Sequence, residues 1–226
     1  MRRTFVLMLL VFMFAGISAF AQERKPEIFV GYSNLQAEGL PDKNNVTGIF
    51  SSDFLNNRTT LHGFTTDVSG FFLDNLGITG NFSFNENSRS NSVFNRSDSV
   101  KTDVFYFMGG PTLKVGHSAR FQPFARFLAG AAHTRFDVDS EQTFASGGTV
   151  TNSFKTHTTD LALGIGGGVD WRVSDRFKVR AFQVDYVPVF LRDQSVTRLT
   201  QAGAIEPFTL NGQRMDNVRF SFGIVF

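Results

Sequence analysis

The chain has 226 residues, no cysteine, 28 phenylalanines, 21 glycines and a formal charge of +2. The missing cysteine excludes disulfides and thiolate chemistry. Arg2 and Arg3 carry the whole charge excess, since removing them leaves 20 basic against 20 acidic residues, so the charge gives no argument for nucleic acid as a partner.

The chain opens with Met1-Arg2-Arg3, an apolar run over 5–14 and Ala19-Phe20-Ala21 before Gln22. A basic start, a short apolar core and a small-x-small site predict a cleavable signal peptide over 1–21 and an exported protein of one domain over 22–226. The run is too short to span a bilayer, and no later stretch reaches the roughly 18 unbroken apolar residues of a spanning helix.

Period-two patterning then predicts strands. The first covers 27–35, with Ile28, Val30 and Tyr32 on one face and Gly31 and Ser33 on the other. A long segment over 36–60 carries turn formers and an apolar patch, Ile49, Phe50, Phe54 and Leu55, which reads as a candidate partner loop. Strands over 61–72 and 76–84 are joined by the tight Leu73-Asp74-Asn75 turn, and an Asn- and Ser-rich mobile loop is expected over 85–101. Strands four to seven are expected over 102–115, 121–137, 156–172 and 177–190, with long links over 138–155 and 191–213. The two short links echo each other, Ser118-Ala119-Arg120-Phe121 against Ser174-Asp175-Arg176-Phe177.

The last ten residues close the pattern. Val218, Phe220, Phe222, Ile224 and Phe226 share one phase, and Arg219, Ser221 and Gly223 share the other, with Val225 as the apolar exception. Such a strand fits a sheet that faces lipid on one side and a polar interior on the other. Eight strands joined by alternately long and short links predict an all-β fold, an eight-stranded antiparallel up-and-down transmembrane β-barrel with both ends on the short-turn side.

Val30-Gly31-Tyr32-Ser33, Met108-Gly109-Gly110-Pro111, Pro123-Phe124-Ala125-Arg126 with Ala129-Gly130-Ala131, and the closing Phe220-x-Phe222-x-Ile224-x-Phe226 carry a resemblance. In this ordered set the chain resembles the small eight-stranded bacterial outer-membrane β-barrels, a family that includes the transmembrane domain of outer membrane protein A. The resemblance implies a Gram-negative outer-membrane location, contact with membrane lipid and lipopolysaccharide, and a terminal assembly signal, here Phe220, Phe222, Ile224 and Phe226, read by the barrel-assembly machinery. Members that grip peptidoglycan carry a separate domain after the barrel; the chain stops at Phe226, so no peptidoglycan-binding domain is expected.

Inward-phase residues carry the remaining chemistry. Ala162, Gly164, Gly166 and Gly168 make room for longer groups, and Asp67, Lys114, Arg126, Asp170, Arg180, Asp185 and Arg219 are expected to form a paired luminal plug, joined by Lys178. Arg180 and Asp185 lie five apart, so a bulge near Phe182 and Gln183 is required for both to face inward. Gly164-x-Gly166 lacks the third glycine of a dinucleotide loop, and the stretch from Asp137 to Glu141 lacks the glycine and late glutamate of a calcium loop, so it reads as a solvated loop. His133 and His157, with Asp160 nearby, are the one arrangement from which a rim enzyme could be built. No catalytic, cofactor or metal site is expected.

These observations predict a structural or interaction barrel with a filled lumen and partner-binding extracellular loops. The alternatives are a lipid-modifying rim enzyme, a narrow channel, and a soluble lipocalin-like barrel with its apolar phase inside.

Overall fold

The computed structural model describes residues 26–38, 58–93, 96–116, 119–143, 149–174, 176–199, 205–210 and 214–226. Among these, every regular element is a strand: β1 (Glu27–Ala37), β2 (Thr59–Phe71), β3 (Leu76–Val93), β4 (Arg96–Lys114), β5 (Phe121–Thr143), β6 (Thr149–Arg172), β7 (Lys178–Phe190), β8 (Gln194–Leu199), β9 (Ile205–Leu210) and β10 (Arg214–Val225). Eight of them close a barrel in the order β1-β10-β7-β6-β5-β4-β3-β2, and β8 and β9 form a separate hairpin. The proposed signal peptide and the patch Ile49, Phe50, Phe54 and Leu55 lie outside the described residues.

Closure runs along β1 and β10, which pair antiparallel from Phe29↔Val225 to Gln36↔Val218. One residue further on, Ile28 and Phe226 exchange both backbone hydrogen bonds, at 3.0 and 2.9 Å. Closure removes the free edges that an open sheet of this size would present.

The two phases of each strand fall as their chemistry requires for a barrel in lipid. On β10, Phe222 is 56% exposed while Arg219 is fully buried. Ile28, Val30 and Tyr32 on β1, Phe107 and Leu113 on β4, and Leu161, Ile165 and Trp171 on β6 also face outward, while Lys114, Arg126, Asp170 and Asp185 face inward. A barrel that exposes its apolar phase and buries charge is the inverse of a lipocalin-like one, which overturns that alternative. Its solvent must be apolar. Outward aromatic rings meet across strands, as in Phe82–Phe107 at 4.9 Å and Phe84–Phe105 at 4.7 Å between ring centres.

Two expectations are corrected by the pairing. The stretch over 85–101, expected as a mobile loop, is strand: β3 and β4 stay in register out to Val93↔Arg96. The 138–155 link is likewise strand on both sides, paired out to Thr143↔Thr149, so the stretch from Asp137 to Glu141 is extended chain rather than a loop. Asn- and Ser-rich composition lowers strand propensity, but each added pair in an established ladder satisfies backbone groups on a neighbour already in place, and context overrides propensity. Within 191–213, β8 and β9 pair from Gln194↔Leu210 to Leu199↔Ile205.

A bulge lies in β7. Val169 faces Phe182 and Asp170 faces Arg180, so Ala181 has no counterpart on β6, and the β10 pairing slips at the same place. Ala181 and Phe182 are consecutive exposed residues, with Arg180 and Gln183 buried on either side.

Candidate functional site: the charged lumen and the long-loop rim

Three tiers fill the interior. At the short-turn end, Lys114 Nζ donates to Glu27 at 2.5 Å and to Asp170 at 2.7 Å, and Lys178 also reaches Glu27. Arg180 donates to Asp170 through Nε at 2.8 Å and to Asp67 through a terminal nitrogen at 2.8 Å. Its guanidinium lies between the rings of Phe29 and Phe124, 4.2 Å from each centre. Such stacking holds a cation in a desolvated place through the ring quadrupole.

The middle tier turns on Asp185. Arg126 makes a two-pronged contact to it at 2.9 and 2.7 Å and a third bond to Asp67 at 2.8 Å. Arg219 reaches Asp185 at 3.0 and 3.2 Å and donates to Ser83 at 2.6 Å. Gln183 and Asn81 donate to the Asp185 and Asp67 carboxylates. Glycines make this possible: a Cβ on Gly166 would run into the Asp185 carboxylate, and one on Gly168 would sit 3.0 Å from the Phe124 ring.

Towards the long-loop end the interior changes character. Leu35, Leu61, Val104, Met108, Leu128, Val187, Val189 and Met215 form a buried apolar cluster. Tyr106 stands at the boundary, accepting from Asn217 Nδ2 at 3.1 Å with its ring 5.8 Å from the Arg219 guanidinium. Between the charged tiers a void of about 10 Å³ remains, bordered by Glu27, Asp67, Lys114, Arg126 and Arg180, room for about one water.

The structure thus joins Asp67, Lys114, Arg126, Asp170, Arg180, Asp185 and Arg219 in one continuous network. Sequence reasoning missed Glu27, Phe29 and Phe124. The signal for the aromatic pair was present, because Phe29 and Phe124 occupy the polar phase of their strands, where a large ring needs a reason. The apolar tier was missed too: Leu35, Leu61 and Val104 share that same phase.

The rim histidines are not brought together with the acid. His133 and His157 lie on the outer face, ring centres 6.1 Å apart, and His133 is engaged by Thr159 Oγ1 at 2.7 Å and by Arg135 at 3.3 Å. Asp160 points inward, 2% exposed, and accepts from Thr158 Oγ1 at 2.6 Å and from the Arg192 backbone at 3.2 Å. Strand alternation places residues of opposite parity on opposite faces, so these histidines and this carboxylate cannot share a proton. Among the described residues no group of three or more metal-ligating side chains converges.

Above the barrel mouth, the wall splits. β2 pairs with β3 only as far as His62↔Glu86, and β7 with β6 only from Phe190↔Leu161. Meanwhile β3, β4, β5 and β6 remain paired beyond those points as a four-stranded ledge. A side chain marks each parting: Asn87 Nδ2 donates to the Thr60 carbonyl at 2.6 Å, and Arg192 donates to the Thr159 carbonyl at 2.8 Å.

A closed antiparallel barrel with an apolar exterior, a charged interior and alternating link lengths matches a family model, the outer membrane protein beta-barrel domain, over residues 7–191. The chain belongs to this family. It is a protein of the bacterial outer membrane, and the family's pattern of short periplasmic turns and long extracellular loops turns the short links towards the periplasm and the ledge towards the outside. By fold it is similar to a major outer membrane protein from Thermus thermophilus, with 8% identity over 90% of this chain and 99% of that chain and a TM-score of 0.51. It is also similar to Ail, the attachment invasion locus protein of Yersinia pestis, with 15% identity over 89% and 97% and a TM-score of 0.49. No curated protein sequence matches the chain.

Proposed function

We propose that this barrel is a non-conducting outer-membrane scaffold that presents its extracellular ledge to a partner protein. The observation that carries the reading is the unbroken register of β5 and β6, from Phe121↔Trp171 to Thr143↔Thr149. A membrane-crossing strand needs about 9–11 residues. On β5 these are used up near His133, and the remaining ten residues extend about 33 Å along the strand at 3.3 Å each.

The ledge has two edges without a neighbouring strand among the described residues, 87–93 of β3 and 149–160 of β6. Bare edges template pairing with another chain, and folds usually blunt or cover them. Adding an extended segment of a partner protein as a further strand satisfies those backbone groups, while the alternating side chains supply selectivity. The tiered ion pairs and the apolar cluster support a closed lumen. The rim-enzyme alternative draws no support from histidines and an acid on opposite faces.

Whole cells displaying the protein should capture extended peptides of alternating polar and apolar residues from a peptide library, and prolines at Thr151 and Ser153 should reduce capture several-fold while the barrel still forms, as read from heat-modifiable gel mobility. Unchanged capture would move the contact elsewhere. In planar bilayers the purified protein should give no steady unitary currents; large stable currents would replace the scaffold reading with a channel.

A further inference from the structure

At the periplasmic end the two echoing turns come together. The Arg172 backbone N–H donates to the Arg120 carbonyl at 2.8 Å, fastening the base of the β4–β5 turn to β6. The first turn depends on Gly116, whose φ of 73° lies in the left-handed region, with the Ala119 N–H closing onto its carbonyl at 2.7 Å. In the second, Ser174 Oγ accepts from the Arg176 and Phe177 backbone N–H groups at 3.2 and 3.3 Å. These bonds fix Arg120 and Arg176 on adjacent turns.

Arg120 lies against the outer wall. Its guanidinium is 5.5 Å from the centre of the Trp171 ring, which stacks on Phe121 at 6.3 Å and 20°. Trp171 and Phe121 both face outward, at the height where the apolar exterior ends. A ring over one face of a guanidinium leaves its in-plane donors available to a ligand. Among the described residues, neither Arg120 nor Arg176 has a carboxylate partner. Directly below this platform the paired outward positions are Pro123 and Val169, then the small pair Ala125 and Gly167, and then Phe127 and Ile165, large and exposed. An apolar strip of the lipid face therefore begins directly beneath the cation.

We propose that Arg120, held on Trp171, binds the phosphate of an anionic phospholipid in the periplasmic leaflet, with an acyl chain lying along Pro123 and Val169 towards the small pair Ala125 and Gly167. A soluble anion would find the same charge, but not the apolar strip continuous with it. A net-negative headgroup is favoured over a zwitterionic one because Arg120 and Arg176, neither with a carboxylate partner among the described residues, stand on adjacent turns, and a headgroup ammonium would be repelled. Aromatic side chains at the interface and arginine donors suited to phosphate are the two halves of the site. The proposal rests on the outer-membrane placement of the barrel and is independent of the ledge.

Trp171 is the chain's single tryptophan, so its fluorescence reports this site alone. The mature protein in phosphatidylcholine nanodiscs should transfer energy to trace dansyl-phosphatidylglycerol several-fold more than to trace dansyl-phosphatidylcholine, and 0.5 M salt should narrow the difference. In Arg120→Ala the ratio should fall towards one, with Arg120→Gln as a second variant that keeps a polar stem if the alanine form folds poorly. Equal transfer to the two lipids in the unsubstituted protein, or an unchanged ratio in a folded Arg120 variant, overturns the site. Full displacement by millimolar glycerol phosphate would assign it to soluble anions and overturn the lipid.

Discussion

Asp185 accepts from Arg126, Arg219 and Gln183 in a place that water does not reach. Burying charge is costly, and mutual attraction offsets that cost only when every member keeps its partners. Asp185→Ala strips Arg126 and Arg219 of their shared carboxylate and should lower the unfolding free energy by about 3–5 kcal/mol, as for other broken buried pairs. Arg180→Ala should act in the same range, because Asp170 and Asp67 each lose a donor and the Phe29–Phe124 slot is emptied. The control is Lys101→Ala at the rim, whose contacts to Glu86 at 3.9 Å and Asp103 at 3.7 Å are half-exposed on the lysine side. An exposed pair contributes about 0–1 kcal/mol, so this variant should unfold with the parent. Denaturant titration of the three variants in lipid vesicles measures the contrast.

At the scale of the strand, the bulge in β7 is what allows one strand to serve two tiers. Arg180 belongs to the short-turn tier and Asp185 to the middle tier, and five residues of regular strand would put one of them into lipid. The single extra residue restores both to the interior. Deleting Ala181 should therefore leave Arg180 and Asp185 four apart, a spacing at which a regular strand points both inward, so the heat-modifiable form should be retained without the bulge. Ala181→Val, which keeps the count, should retain it as well. Loss of the heat-modifiable form in the deletion variant alone would show that the bulge does more than keep these two charges in phase.

For the whole molecule, the sheet closes at the β1–β10 seam. Phe226 contributes two backbone hydrogen bonds to Ile28 and an exposed ring at the periplasmic boundary. We propose that the closing strand is recognised during assembly in cells, so deletion of Phe226 should lower the folded yield there more than it lowers refolding into detergent, where the seam from Phe29↔Val225 to Gln36↔Val218 remains. Normal cellular assembly of the shortened chain would remove Phe226 from the assembly signal. The interior has a division that follows from the same closure: charge in the periplasmic half and the middle, hydrocarbon side chains under the ledge. If the apolar tier below the ledge closes the lumen independently of the ion pairs, loosening the plug through Asp185→Ala should not by itself open a conducting pore in planar bilayers.

Period-two alternation is a local property, and everything that depends on it was legible in the sequence: eight barrel strands, the outward phase, the short turns, the closing strand and the inward direction of seven charged residues. Even the bulge was required by the spacing of Arg180 and Asp185. Which acid meets which base was not legible, because Arg126 and Asp67 are 59 residues apart and Arg180 and Asp67 are 113 apart, and their meeting depends on strand stagger around a closed barrel. The ledge was hidden for a related reason. Its strands read as a loop rich in Asn and Ser over 85–101 and a long link over 138–155, and become a sheet only because each extends a ladder that the barrel below sets in register.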